Sequence, residues 1–120
     1  MKEFLILSTS IDLLRVACET IIYISSDGNY STIVQADGEA RGVTLQLGQI
    51  EKLIAAQLKH EADDFIRIGK SLIINKNHIH YIHISKQQLT LSDGVAAKHT
   101  LSASREALKQ LKELLEQELK

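Results

Sequence analysis

The stretch FIRIGKSLIINKNHI, residues 65–79, carries the clearest β-strand pattern of this 120-residue chain. Three residues near its middle interrupt that pattern. Apolar, β-branched residues on both sides of the interruption favour a strand on each side. Between them lie Gly69, Lys70 and Ser71, and the glycine permits a change of direction. We therefore expect the sheet to bend here and to present Lys70. Ser71 and, further on, Asn75 can bond either backbone groups or phosphate.

Three Asp-Gly pairs next to β-branched or aromatic residues mark β-hairpins: Asp27-Gly28, Asp37-Gly38 and Asp93-Gly94. Asp supports local side-chain turns and Gly takes positive φ without steric cost, so each pair can reverse the chain. The alternating pattern predicts a meander of short antiparallel strands at 3–9, 11–17, 20–25, 30–36, 39–45, 65–69, 72–75, 79–84, 87–92 and 95–101.

Two stretches have helical periodicity. A short helix is predicted over 48–60, and an amphipathic C-terminal helix over 104–119 with Ser104 as its candidate N-cap. The leucine stripe of the second helix can cover the core of its own domain or form a seam with a partner, and the first is the commoner outcome. The predicted fold class is therefore mainly β, with small sheets of short antiparallel strands and two helices.

Composition and length indicate one globular domain over 1–120, because 44% apolar and 24% charged residues exclude disorder of the whole chain. No run approaches the ~18 apolar residues of a membrane span, so we expect no membrane insertion. The single cysteine, Cys18, cannot form an internal disulfide, which fits a reducing compartment such as the cytoplasm. With no obvious partner beside it, Cys18 is expected to be buried filler and not a reactive thiol.

The net charge of −1 hides an uneven distribution along the chain. Residues 1–64 hold five basic and ten acidic side chains, whereas residues 65–112 hold eight basic and two acidic ones. Such asymmetry indicates a basic face that can meet a polyanion. The alternative is that the charges mix when the chain folds.

Nothing in the sequence has the spacing of an active site. On one strand His78 and His80 point to the same face and His83 to the other, so a three-ligand metal site is not implied. The acidic pairs are expected to be solvated charge, and no glycine-rich phosphate loop or nucleophile elbow is present. We therefore expect no enzyme activity, no cofactor and no metal.

Polar and basic side chains instead collect at three separate positions in the chain, the first of which is by itself an ordinary polar turn. Arg, Lys, Asn and Ser are the residue types that contact phosphates and base edges of DNA. The candidate residues are Asn29, Tyr30 and Ser31, then Lys70 and Ser71, then Arg105 and Lys109.

The order of these motifs resembles the LytTR-type DNA-binding domain of bacterial transcriptional regulators. The resemblance extends over about residues 11–112, and 113–120 would be the end of the last helix. Its segments are IIYISSDGNYSTI at 21–33, the helix near 48–60, FIRIGKSLIINKNHI at 65–79, LTLSDG at 89–94 and LSASREALKQL at 101–111. It implies an elongated arrangement of short strands in which loops, not a recognition helix, enter successive major grooves.

The resemblance also implies roles and partners. Lys70 and Arg105 would donate to guanine O6 and N7, while Asn29, Tyr30, Ser31 and Ser71 would contact phosphates or single base edges. The function implied is sequence-specific double-stranded DNA binding in two-component signalling, as a homodimer on repeated sites, with an upstream sensor or receiver. The alternative is a protein-interaction module of the same fold that associates through its C-terminal helix.

Overall fold

Short antiparallel strands make up most of the chain, as the period of two in its apolar residues predicts. The computed structural model describes residues 3–95 and 97–119. The chain divides into two units, Met1–Asn77 and His78–Lys120. The predicted fold class, mainly β with small antiparallel sheets and two helices, is confirmed. The single domain over 1–120 stays a prediction.

The first unit contains two antiparallel sheets and one helix. In chain order its elements are β1 (Phe4–Ser8), β2 (Leu13–Ala17), β3 (Ile21–Asp27), β4 (Tyr30–Gln35), β5 (Ala40–Val43), α1 (Leu47–Gln57), β6 (Phe65–Ile68) and β7 (Leu72–Asn75). Strands β1 and β2 pair with each other, and the remaining five form a sheet in the order β5-β4-β3-β7-β6. Helix α1 packs on β1, β3 and β7.

The core of the first unit lies under α1. Its residues lie on the inward faces that the strand period of two and the helical period of 3.6 predict. They are Leu5, Leu7, Val16, Cys18, Ile21, Ile24, Ile33, Val43, Leu47, Ile50, Ile54, Leu58 and Ile73. Each buried side chain of Leu, Ile or Val stabilises the folded state by about 1.5–3 kcal/mol relative to an exposed one.

Helix α1 ends at Gln57, three residues before the predicted boundary at 60. Leu58 adopts extended backbone angles, with φ −96° and ψ 131°, and so ends the helix. The Glu3 carboxylate then accepts hydrogen bonds from the backbone N–H groups of residues 59–61 at 2.6–2.8 Å. Satisfying these N–H groups outside a helix removes the need for further helical turns.

The second unit consists of β8 (Ile79–His83), β9 (Gln88–Ser92), β10 (Lys98–Ser102) and α2 (Arg105–Gln117), with the sheet order β10-β9-β8. Helix α2 packs on β8 and buries Leu108 and Leu111. The Ser104 hydroxyl accepts from the Ala107 N–H at 3.1 Å, which confirms the predicted cap. Strand β10 begins at Lys98 and not at the predicted 95, and residue 96 lies outside the described residues.

The interruption at 69–71 requires a correction. We expected a bend in the sheet, but these residues form the turn of an antiparallel hairpin in which Ile68 pairs with Leu72. Gly69 has φ +63°, a conformation that is strained for residues with a side chain, and it therefore reverses the chain instead of bending it. Lys70 consequently lies at a hairpin tip.

Candidate nucleic-acid interface

Two hairpin tips lie side by side at one end of the five-stranded sheet. Strand β3 is the shared neighbour: Asp27 pairs with Tyr30 of β4, while Ser25 pairs with Leu72 of β7. Beyond the ladder, the backbone N–H of Ser26 donates to the Ser71 carbonyl oxygen at 2.9 Å. The fold thus brings the 28–29 turn and the 69–71 turn together, although more than 35 residues separate them in the sequence. We call these two turns the tip pair.

A cleft of about 360 Å³ opens between the tip pair and the start of α1. Its lining residues are Ser26, Asp27, Gly28, Gln46, Leu47, Gly48, Arg67, Lys70 and Ser71. On its rim the Gln46 side chain donates to Asn29 Oδ1 at 2.6 Å. This bond fixes the Asn29 amide so that its NH₂ group is directed to other partners, and within residues 3–95 and 97–119 it has none.

Tyr30 and Ser31 follow each other on β4, and their side chains therefore point to opposite faces. Tyr30 is 51% exposed, and its ring crosses Gly42 of β5 so closely that a methyl group there would clash with the phenol oxygen. Ser31 is completely buried, and its hydroxyl donates to the Leu45 carbonyl oxygen at 2.7 Å. The expectation for Ser31 is corrected accordingly: its side chain serves the fold and does not reach the surface.

Lys70 and Ser71 are both exposed on the 69–71 turn. Beneath them the Arg67 guanidinium donates to the Gly69 carbonyl oxygen at 3.0 Å, to the Lys70 carbonyl oxygen at 3.1 Å and to the Glu51 carboxylate at 2.9 Å. This set of contacts is not predictable from local sequence, because Glu51 lies 16 residues away on α1. The turn is therefore held from below while its outer side chains remain in solvent.

Asn75 bonds the backbone, which settles the choice between backbone and phosphate for this residue. Its Nδ2 donates to the Ile21 carbonyl oxygen at 3.0 Å and more weakly to that of Cys18 at 3.4 Å. Its Oδ1 accepts from the Asn77 N–H at 3.1 Å. Because only 2% of Asn75 is exposed, it ties β7 to the segment before β3 and cannot contact a ligand.

Cys18 is buried and is not a nucleophile. Burial raises the pKa of its thiol to about 12, and the nearby carboxylates of Glu61, Glu3 and Asp64 act in the same direction. The thiol is therefore protonated at neutral pH, as expected for filler. In the described part of the chain no group of His, Cys, Asp and Glu side chains is arranged to hold a metal ion.

The second unit has a polar surface of its own where α2 begins. Arg105 is exposed in the first helical turn, and its Nη2 donates to the Ser85 carbonyl oxygen at 3.4 Å. Lys109, one turn further along α2, is also exposed. Ser85 belongs to the β8–β9 turn, which carries Lys86 and whose Gln87 carbonyl oxygen accepts from the N–H of residue 103 at 3.2 Å.

Lys86 is a basic residue that the sequence interpretation missed. It lines a cleft of about 510 Å³ together with Gln87, Ser102, Ala103 and Ser104, immediately before Arg105. The signal was available, because Lys86 lies in a polar break between two predicted strands, as Lys70 does. We call Lys86, Arg105 and Lys109 the basic group of the second unit.

Basic and amide side chains on the turns and helix start of a mainly β fold are typical of a domain that binds nucleic acid through its connections. The family model of the LytTr DNA-binding domain matches residues 12–116, and the chain belongs to this family. The family is one of DNA-binding domains in transcription regulation and not of enzymes.

A solved structure agrees with this assignment. The LytTr DNA-binding domain of a Bacillus cereus response regulator is similar in fold, with a TM-score of 0.62 and 22% sequence identity over 96% of this chain and 98% of that one. The comparison with curated proteins gives no match. Neither helix in the described part of the chain has the length and apolar character that crossing a bilayer requires.

Proposed function

We propose that this domain binds double-stranded DNA sequence-specifically, as the output domain of a bacterial response regulator, with its turns in successive major grooves. The observation that carries the proposal is the tip pair, in which the NH₂ group of Asn29 and the exposed Lys70 lie at one end of the five-stranded sheet. The backbone of a short turn that is already hydrogen-bonded loses little entropy on binding.

Each contact can be assigned by its chemistry. Lys70 and Arg105 are suited to guanine O6 and N7, and the planar guanidinium adds a bidentate pair. Asn29 keeps only its NH₂ donors, so it suits a single base edge or a phosphate. Tyr30 and Ser71 are exposed residues whose hydroxyl groups suit phosphates. Lys86 and Lys109 of the second unit would add phosphate contacts.

We further propose that two copies bind a repeated site in the cytoplasm, under the control of an upstream sensor or receiver. The alternative of a protein-interaction module needs the apolar stripe of α2, but Leu108 and Leu111 of that stripe are buried within their own unit. The exposed leucines of the stripe are Leu114 at 38% and Leu119 at 86%, so the apolar surface left for a partner helix is confined to the last turns of the chain. This supports DNA, not a second helix, as the main ligand.

Selection of bound sequences from a random duplex library tests the proposal and reveals the spacing of any half-sites. The enriched duplex is then titrated by fluorescence anisotropy at several salt concentrations. If four cationic side chains meet phosphates or bases, log K should fall with log salt with a slope between about −2 and −4. No enrichment, together with no binding to any duplex at low salt, would refute the function.

A further inference from the structure

Arg67 lies beneath the tip pair and is not free to contact a ligand. All three of its terminal nitrogens donate within the first unit: Nε to the Gly69 carbonyl oxygen, Nη2 to the Lys70 carbonyl oxygen and Nη1 to Glu51. Its side chain is 30% exposed, whereas that of Glu51 is 52% exposed. Although arginine is the residue type most suited to guanine, three of the five N–H donors of Arg67, one on each nitrogen, are already used by the fold.

The chemistry of this contact set requires arginine. Two successive carbonyl oxygens of a three-residue turn and a carboxylate on a helix are bonded in three directions by one planar, rigid group. A lysine ammonium is a single point donor on a flexible stem and cannot span these acceptors together. The ion pair with Glu51 adds a charge-assisted bond that orients the guanidinium.

We propose that Arg67 is a positioning residue, which fixes the 69–71 turn against α1 and thereby orients Lys70 toward DNA. This inference rests on the proposed function. The bonds of Arg67 are to backbone carbonyl oxygens, so they hold the turn whatever side chain occupies position 70. Arg67 therefore acts on DNA through the side chains of the turn, chiefly Lys70, and most of its effect on specific binding must disappear when the Lys70 side chain is removed.

A double-mutant cycle tests this dependence. Arg67→Lys keeps the charge and removes the three-way bonding, so long-range attraction to DNA is unchanged. We expect it to weaken binding to the enriched duplex by roughly tenfold, with less effect on a random duplex. In a Lys70→Ala background the same substitution should change binding by less than about twofold, because the group that Arg67 positions is gone.

The matched control is Arg41→Lys, since Arg41 is an exposed arginine on β5 that pairs with Glu39, just before that strand, and lies outside the tip pair. It should leave both affinities unchanged. Thermal unfolding confirms that each variant is folded. If the effects of Arg67→Lys and Lys70→Ala on the enriched duplex simply add, Arg67 acts independently of Lys70 and the proposal is overturned.

A measurement without DNA separates this proposal from the proposed function. Backbone ¹⁵N order parameters should fall at residues 69–71 in Arg67→Lys and stay unchanged in the 28–29 turn, which Arg67 does not contact. Unchanged order at 69–71 would overturn the positioning role even if the chain binds DNA. Reduced order in a chain that binds no duplex would instead refute the proposed function and leave Arg67 as a clamp of the turn.

Discussion

Arg105→Lys is expected to separate base reading from charge attraction. Arg105 is exposed, and its one hydrogen bond in the described residues is the 3.4 Å contact with the Ser85 carbonyl oxygen, so the free energy of unfolding should change by less than about 0.5 kcal/mol. Lysine keeps the charge but loses the planar fork that bonds guanine O6 and N7 together. Binding to the enriched duplex should therefore weaken by ~1–3 kcal/mol, roughly five- to 150-fold.

The assay compares the enriched duplex with a scrambled duplex of the same composition by fluorescence anisotropy. Because the charge count is unchanged, the slope of log K against log salt should be the same for Arg105→Lys and wild type on both duplexes. Lys112→Arg is the matched control, since Lys112 lies on the same helix and pairs with Glu116 at 2.7 Å. An equal loss on both duplexes would show that Arg105 contacts phosphate only, and no loss would place it outside the interface.

Three further predictions concern stability. Asn75→Ala should lower the free energy of unfolding by ~1–3 kcal/mol in urea titrations, because it leaves buried backbone groups unbonded. Ser104→Ala should lower the free energy of unfolding by about 1 kcal/mol through loss of the α2 cap, and no loss would show that this hydrogen bond does not stabilise the helix. The backbone N–H of Lys59, with those of Glu61 and His60, lowers the pKa of the Glu3 carboxyl below 4.5. The charged carboxylate therefore stabilises the folded state above pH 4.5, and this stabilisation is lost as the pH falls through the lowered pKa. The free energies of unfolding of wild type and Glu3→Gln should therefore differ at neutral pH and converge in acid. A difference that stays the same at every pH would contradict this.

The strands, hairpins and helices were predictable because their signals are local. Alternation of apolar residues depends on neighbours two positions apart, and an Asp-Gly pair marks each of three hairpins, although in the first Asp27 ends β3 and the turn residues are Gly28 and Asn29. The family resemblance added the positions of the turns. Boundaries shifted by up to three residues, as at the end of α1, where the deciding contact is with Glu3.

The parts of the site that could not be predicted depend on residues far apart in the chain. Ser31 looks like a turn residue, but its hydroxyl partner is the Leu45 carbonyl oxygen, 14 positions later. Arg67 resembles a DNA-reading arginine until its bonds to Glu51 and the turn carbonyls are seen. Whether a polar side chain serves the fold or a ligand depends on its neighbours in space, which the local sequence does not show.

The charge distribution along the sequence likewise differs from the distribution in the folded units, and this bears on how the proposed DNA binding gains its affinity. The acidic first half and the basic second half of the sequence do not correspond to the two structural units. Met1–Asn77 holds eight basic and ten acidic residues, and His78–Lys120 holds six basic and five acidic residues. Neither unit therefore has the net charge that would attract a polyanion from a distance. Under the proposed function, affinity comes from cations placed at short range on turns, and the proposed hold of Arg67 on the 69–71 turn then matters more than the number of charges. Weak binding to random DNA with a large gain on the correct sequence is the behaviour that such an arrangement predicts.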